Sequence, residues 1–292
     1  MSLFDSEFLK RLEYLSLISK RVFRGQLLAQ RRTKQLGGGI EFADHREYSP
    51  GDDLRYLDWN VYARYGDLLL KRFQEEEDLH VYILLDSSPS MLSGTPSKFE
   101  YARTVAAALA YIALADLDRV GIYAYSNELL DVLPMTRGKD RILSVLRFLD
   151  SLKATGNRTD LERVVRGLVN RAQRTGLVVI ISDLYDQDGF KQGVDLLRHR
   201  RFEPHVIQLH TTEEANPQFL GDIELEEAET GARRKLTITE RKLKQYAQLY
   251  QEFLQQIDAY CRSYSLSCTR TNVDVPFDEL ILRMMRTAGG IG

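Results

Sequence analysis

Ile83-Leu84-Leu85-Asp86-Ser87-Ser88-Pro89-Ser90-Met91 ends an apolar run over residues 79–85 on a carboxylate, and two serines follow at alternate positions. A run with so little polar interruption suits a strand buried on both faces, as in a parallel sheet covered by helices. Downstream, Ser97 and Glu100 have the spacing of a capping box. Phe99, Ala102, Ala106, Leu109 and Ala113 then recur at three and four as a buried helical stripe. Strands expected at 120–125, 177–182 and 205–209 alternate with helices at about 140–151, 160–174 and 190–200. The expected fold class is α/β: a Rossmann-like, mostly parallel sheet with helices on both faces, plus a small N-terminal helical and β segment.

Open sheets of this kind bind ligands beyond the carboxyl ends of their strands, near the topological switch point. Asp86 lies at such an end, and a tight loop can turn the hydroxyls of Ser88 and Ser90 towards one point beside it. Gly156-Asn157-Arg158-Thr159-Asp160 precedes a helix and offers a third hydroxyl at Thr159. Ser182-Asp183 ends the strand at 177–182 with a second carboxylate. Singly, Thr159 reads as a helix cap and Asp183 as a loop carboxylate. Together, at three strand-to-helix edges, Asp86, Ser88, Ser90, Thr159 and Asp183 point to a metal. Donors that are all oxygen suit a hard cation, Mg²⁺ or Mn²⁺, with near-octahedral bonds of about 2.0–2.1 Å for Mg²⁺. No His or Cys lies nearby in sequence to argue for zinc.

On the N-terminal side, residues 3–35 are expected to be helical, with Leu9, Leu12, Leu15, Ile18 and Val22 at spacings of three and four. Residues 20–34 carry six basic side chains and no acidic one, which is read as a solvated helix face. Gly37-Gly38-Gly39 follows, and no Gly-x-x-x-x-Gly-Lys-Ser/Thr phosphate loop occurs. Ser49-Pro50-Gly51-Asp52 suits a type II turn, with strand-like pieces around 56–63 and 68–73. Arg46, Asp52, Asp53, Arg55, Asp58 and Arg64 are read as an ion-pair scaffold around Trp59, the only tryptophan. On the C-terminal side, a hairpin is expected at 223–227 and 234–238 around Thr230-Gly231. A helix over about 240–264 follows, its stripe of Leu243, Tyr246, Tyr250, Phe253, Ile257 and Tyr260 packed on the sheet. Only about three heptads exist, too few to favour a coiled coil. The expected division is an N-terminal segment over 1–78 and an α/β domain with a C-terminal helical extension over 79–292.

The totals narrow the function. At 292 residues the chain fits one α/β domain of about 200 residues plus a smaller attachment. A net charge of −2 favours neither nucleic acid nor an acidic membrane surface. The longest near-apolar run, 105–115, falls short of the roughly 20 residues of a membrane span and is read as a buried helix. Met1–Lys10 lacks a secretory pattern, so Cys261 and Cys268 are expected as free thiols in a reducing compartment, the cytoplasm.

Asp86-Ser87-Ser88-Pro89-Ser90 with Thr159 and Asp183 resembles the metal-ion-dependent adhesion site of von Willebrand factor A domains. The resemblance implies that serine and threonine oxygens bind the ion directly, that the aspartates act mostly through water, and that a partner's acidic residue completes the shell. Glu41-Phe42, Arg46-Glu47-Tyr48, Pro50-Gly51-Asp52-Asp53-Leu54-Arg55, Asp58-Trp59 and Ala63-Arg64 extend the likeness. With Asp118-Arg119-Val120-Gly121 and Ile181-Ser182-Asp183, they resemble the bacterial family called domain of unknown function 58. Larger members of that family carry N-terminal transmembrane helices, and this chain resembles the short, soluble form. Members are often encoded beside AAA+ ATPases of the MoxR type, which implies an adaptor for an ATP-driven assembly or metal-insertion machine.

The function expected first is thus a non-enzymatic, Mg²⁺-dependent protein-interaction module whose partner offers an acidic residue to the metal. The rival is a metal-dependent phosphohydrolase on a Rossmann-like sheet. That chemistry wants a second aspartate two residues after a nucleophilic Asp86. Ser88 stands there instead, and no paired lysine stands out. A nucleic-acid binder built on 20–34 would lack interleaved aromatics. His45, His80, His199, His205 and His210 show no ligand or triad spacing.

Overall fold

A computed structural model describes residues 4–15, 41–74, 78–156, 158–186, 189–226 and 232–288. The basic segment 20–34 and the glycine run lie outside the described residues. The chain forms two compact units, Met1–Lys20 with Leu79–Gly292, and Arg21–Asp78.

In chain order the elements are α1 (6–15), β1 (Glu41–Glu47), α2 (Trp59–Tyr65), β2 (Leu69–Gln74), β3 (His80–Asp86), α3 (Lys98–Ala115), β4 (Arg119–Tyr125) and β5 (Leu129–Arg137). They continue as α4 (Ile142–Ser151), α5 (Leu161–Arg171), β6 (Leu177–Ser182), α6 (Phe190–His199), β7 (Glu203–His210) and α7 (Thr212–Ala215). The last are β8 (Gly221–Glu226), β9 (Arg233–Ile238), α8 (Glu240–Ser263), β10 (Ser267–Asn272) and α9 (Phe277–Ala288).

In the larger unit, six strands form one sheet in the order β10-β7-β6-β3-β4-β5. Every neighbouring pair is parallel except β4 and β5. The chain runs outward from β3 through β4 to β5, then crosses back to β6 and on through β7 to β10. This is the doubly wound arrangement, and its switch point lies between β3 and β6. Side-chain alternation along β3 serves both faces. Tyr82 and Leu84 join Leu161, Val164, Val165 and Leu168 of α5 and Val194 and Leu197 of α6 in one core. Val81, Ile83 and Leu85 point the other way, where α3 lies on the sheet. Residues 105–115 are the buried core of α3, and its Ser97–Glu100 capping box is formed on both sides.

Three expectations change. The division at residue 78 put α1 with the smaller unit, yet Phe8, Leu12 and Leu15 are buried in the larger one. There the Phe8 ring packs 5.0 Å from that of Phe277, and Arg11 pairs with Asp278. The strand expected around 56–63 is a 3₁₀ turn (Leu54–Tyr56) followed by α2. Asp58 makes it a helix by accepting from Asn60 N and Val61 N, and Gly66 ends it in the left-handed region. Third, the stripe of α8 is buried only at Tyr250, Ile257, Tyr260 and Cys261, so its first two turns do not lie on the sheet.

The smaller unit pairs β1 with β2 antiparallel, and Leu57 bridges Leu70. Gly51 has φ 104° and Asp52 N donates to Ser49 O at 3.0 Å, as the expected type II turn requires. Two of the expected ion pairs exist, Arg46 with Asp52 at 2.7 Å and Arg55 with Asp53 at 2.6 Å, while Asp58 is held by a hydrogen bond to His45 at 2.9 Å that the sequence reading did not include. The His45 hydrogen bond and two backbone N–H groups hold the Asp58 carboxyl below its ordinary range. The ion pairs do not enclose Trp59, which is 59% exposed on α2 and makes an edge contact to Tyr62. The charges fix the turn and the helix start, and the tryptophan stays outside.

Candidate functional site

β3 and β6 end side by side, so Asp86 and Asp183 stand together at the switch point, both buried. Ser182 Oγ donates to Asp86 Oδ2 at 2.6 Å and accepts from Leu184 N at 2.9 Å. Asp86 Oδ1 accepts from Ser88 N at 2.9 Å. Leu184 is held at φ 64°, uncommon for a leucine, and that turn lets Tyr185 N donate to Asp183 Oδ1 at 3.1 Å.

After Asp86 the chain turns sharply. Ser87 is anchored through its Oγ and N to Tyr125 O at the end of β4, both at 2.8 Å. Pro89 then starts a short 3₁₀ turn, and Ser88 Oγ and Ser90 Oγ stand 3.1 Å apart. The loop bearing Thr159 is tied to the same edge. Thr155 N donates to Ser87 O at 2.8 Å, Ser126 Oγ to Arg158 O at 2.8 Å, and Asp160 N to Ser126 O at 3.2 Å. Gly156, at φ 114°, lies so close to Ser126 that a Cβ there would meet Ser126 Oγ at 2.0 Å. The cap of α5 is Asp160, which accepts from Arg163 N, so the buried Thr159 is not the helix cap.

One central residue has no counterpart in the sequence expectations. Lys98, the first residue of α3, is wholly buried and donates to Asp183 Oδ2 at 2.7 Å and to Glu214 Oε1 at 2.5 Å. Its Nζ also lies 5.1 Å from the centre of the Tyr185 ring. A lysine just after a capping box reads as a solvated first-turn residue, and only the tertiary fold brings it onto Asp183. No paired lysine stands out in the sequence, and the fold supplies one in Lys98. Ser88 is buried in this loop, while Ser90 is half-buried.

Asp183 and Glu214 share the Lys98 ammonium and Asp86 stands beside Asp183, so three carboxylates face one cation and two negative charges are uncompensated when all are ionised. Burial first, then the neighbouring Asp183, pushes Asp86 up to about 7 from 3.8. A carboxyl raised in the folded state contributes stability fully below its unfolded value, and that stability is lost as pH rises towards about 7. In chelator, the protein should lose on the order of 3 kcal/mol more stability between about pH 4 and pH 8 than Asp86→Asn does. Urea midpoints of both proteins across that range check it, and parallel curves would contradict it.

Among the described residues, no three His, Cys, Asp or Glu side chains converge as metal ligands. Two buried carboxylates stand with the paired Ser88 and Ser90 hydroxyls, and Thr159 is buried on a loop tied to the same edge; oxygen donors of this kind suit a hard cation. Adjacent ligands of an octahedron with bonds of about 2.0–2.1 Å stand about 2.9 Å apart, close to the 3.1 Å between Ser88 Oγ and Ser90 Oγ. Fold and site together define a doubly wound α/β protein with a buried carboxylate–hydroxyl cluster at its switch point.

The chain belongs to the family described as "Protein of unknown function DUF58", whose model matches residues 44–253. It is 26% identical over 238 residues to the uncharacterized protein Rv1480 of Mycobacterium tuberculosis, covering 80% of this chain and 75% of that protein. It is 27% identical over 107 residues to the uncharacterized protein YeaD of Bacillus subtilis, covering 37% and 25%. Among solved structures it is similar to the conserved hypothetical protein BatB from Bacteroides thetaiotaomicron. That match has 16% identity and a TM-score of 0.45, and covers 71% of this chain and 99% of that one.

Proposed function

We propose that this chain is a non-enzymatic protein-interaction module whose contact with its partner runs through a divalent cation at a metal-ion-dependent adhesion site of von Willebrand factor A type. The carrying observation is the convergence of Ser88 and Ser90 hydroxyls, 3.1 Å apart, with buried Asp86, Thr159 and Asp183 at the switch point. Ser88, Ser90 and Thr159 would hold Mg²⁺ or Mn²⁺ directly, and Asp86 and Asp183 would act mostly through water. The bound ion supplies a Lewis-acidic position for a partner's carboxylate. Neutral direct ligands leave that position electrophilic, and the two uncompensated charges behind it match a dication.

The phosphohydrolase alternative gains a cation from Lys98, but Lys98 is wholly buried between Asp183 and Glu214 and turned away from solvent. A serine still stands where the acid–base aspartate would be needed. We therefore expect no turnover of phosphoester or nucleotide substrates.

The partner we favour is a MoxR-type AAA+ ATPase, in the cytoplasm. Among the described residues no helix is long and apolar enough to cross a membrane. The test is capture from native lysate on the immobilised chain, in Mg²⁺ and in chelator, with mass spectrometry of what is retained. An AAA+ ATPase held in Mg²⁺ and released by chelator is the expected outcome. Retention indifferent to chelator would remove the metal from the interaction.

A further inference from the structure

The metal-site loop shares a wall with a cavity of about 510 Å³. Ser93, which donates from its backbone to Ser90 O at 3.4 Å, donates from Oγ to Glu214 Oε1 at 2.9 Å. Both residues line the cavity. Its far side is apolar: Phe219, Ile223 and Leu225 on and before β8, Ile238 on β9, and Leu243 and Tyr246 on α8. β8 and β9 form a separate two-stranded sheet that does not join the central one. The first turns of α8 lie beside it, where Tyr246 donates to Glu214 O at 2.8 Å. Phe219, Leu225 and Tyr246 remain 48%, 44% and 39% exposed, so large apolar side chains flank a polar, negatively charged site. The volume lies within the ordinary range of ligand pockets.

Resting on the reading that a partner carboxylate meets a cation at Ser88 and Ser90, we infer that this cavity receives a bulky apolar side chain of the same partner segment. The ligand is then an extended peptide with an acidic residue and an aromatic or leucine side chain a few residues away. The Ser90–Ser93 turn lies between the two positions, and at about 3.3–3.6 Å per residue of extended chain a short spacing, about two to four residues, is expected. The carboxylate supplies charge complementarity to the cation, while the apolar residue selects this partner among acidic chains. Burying a phenylalanine side chain is worth a tightening of roughly ten- to a hundredfold.

Fluorescein-labelled ten-residue Gly-Ser peptides test this by fluorescence polarisation in Mg²⁺. One carries a single Glu, and others add a Phe one to six residues away on either side. The Phe peptides spaced by two to four should bind at least about tenfold more tightly than the Glu peptide. Leu225→Ser, a neutral change at an exposed position, should remove most of that gain and leave the Glu peptide's affinity unchanged. Absence of a gain at every spacing, or a gain that survives Leu225→Ser undiminished, overturns the proposal. Mg²⁺-dependent binding of the Glu peptide without any Phe gain sinks the cavity's role alone. Phe-peptide binding that persists in chelator shows instead that the metal reading has failed, and the joint recognition with it.

Discussion

Replacing Lys98 by methionine should lower the stability of the metal-free protein by roughly 3–5 kcal/mol. Methionine nearly conserves the apolar stem, so the loss would not come from a cavity. It would come from charge: buried Asp183 and half-buried Glu214 would lose the ammonium at 2.7 and 2.5 Å, with Asp86 still beside Asp183. Urea denaturation in chelator measures the loss. Adding Glu214→Gln to Lys98→Met should recover part of it, because one uncompensated carboxylate disappears. Mg²⁺ should also recover part of it, since a dication restores positive charge near Asp183. A change below about 1 kcal/mol would mean that the ion pair is solvated and structurally idle.

The second large effect concerns ligands rather than stability. Ser88→Ala combined with Ser90→Ala should reduce Mg²⁺ affinity at least about tenfold and abolish Mg²⁺-dependent capture of the partner. The backbone N–H of Ser88 donates to Asp86 Oδ1 whatever the side chain, so the fold should survive. Losing the mutual Ser88–Ser90 hydrogen bond should cost about 0.5–1.5 kcal/mol. Calorimetric titration with Mg²⁺ and thermal melting in chelator separate the two effects. Unchanged metal affinity in a well-folded double variant would contradict the ligand assignment.

The parts of this architecture legible in sequence are those where local pattern and global role coincide. β3 and β6 read as strands because both are buried on two faces and so are apolar throughout. α3 announced its start through Ser97 and Glu100. The edge strands were not legible for the complementary reason. β5 alternates exposed and half-buried residues around Pro134, and β10, Ser-Cys-Thr-Arg-Thr-Asn, is polar because one of its sides faces no further strand. α2 was misread because Trp59, Val61 and Tyr62 have strand propensity, while the Asp58 cap and Gly66 terminator override it. At the site, each of the five proposed ligand positions sits at a strand end or a loop before a helix, where a single sequence can show it. Lys98 and Glu214 could not be seen this way. Their pairing spans 116 residues, and each has a bland local role, in the first turn of α3 and in the capping box of α7.

The central claim is that a divalent cation sits among Asp86, Ser88, Ser90, Thr159 and Asp183. Crystals of the chain grown with Mn²⁺ and measured for anomalous scattering at the manganese edge test it most directly. We expect one strong peak within bonding distance of Ser88 Oγ and Ser90 Oγ, with Asp86 and Asp183 behind it and Lys98 still held by Asp183 and Glu214. A well-ordered site without that peak at millimolar Mn²⁺, or a peak only on surface carboxylates, would contradict the account.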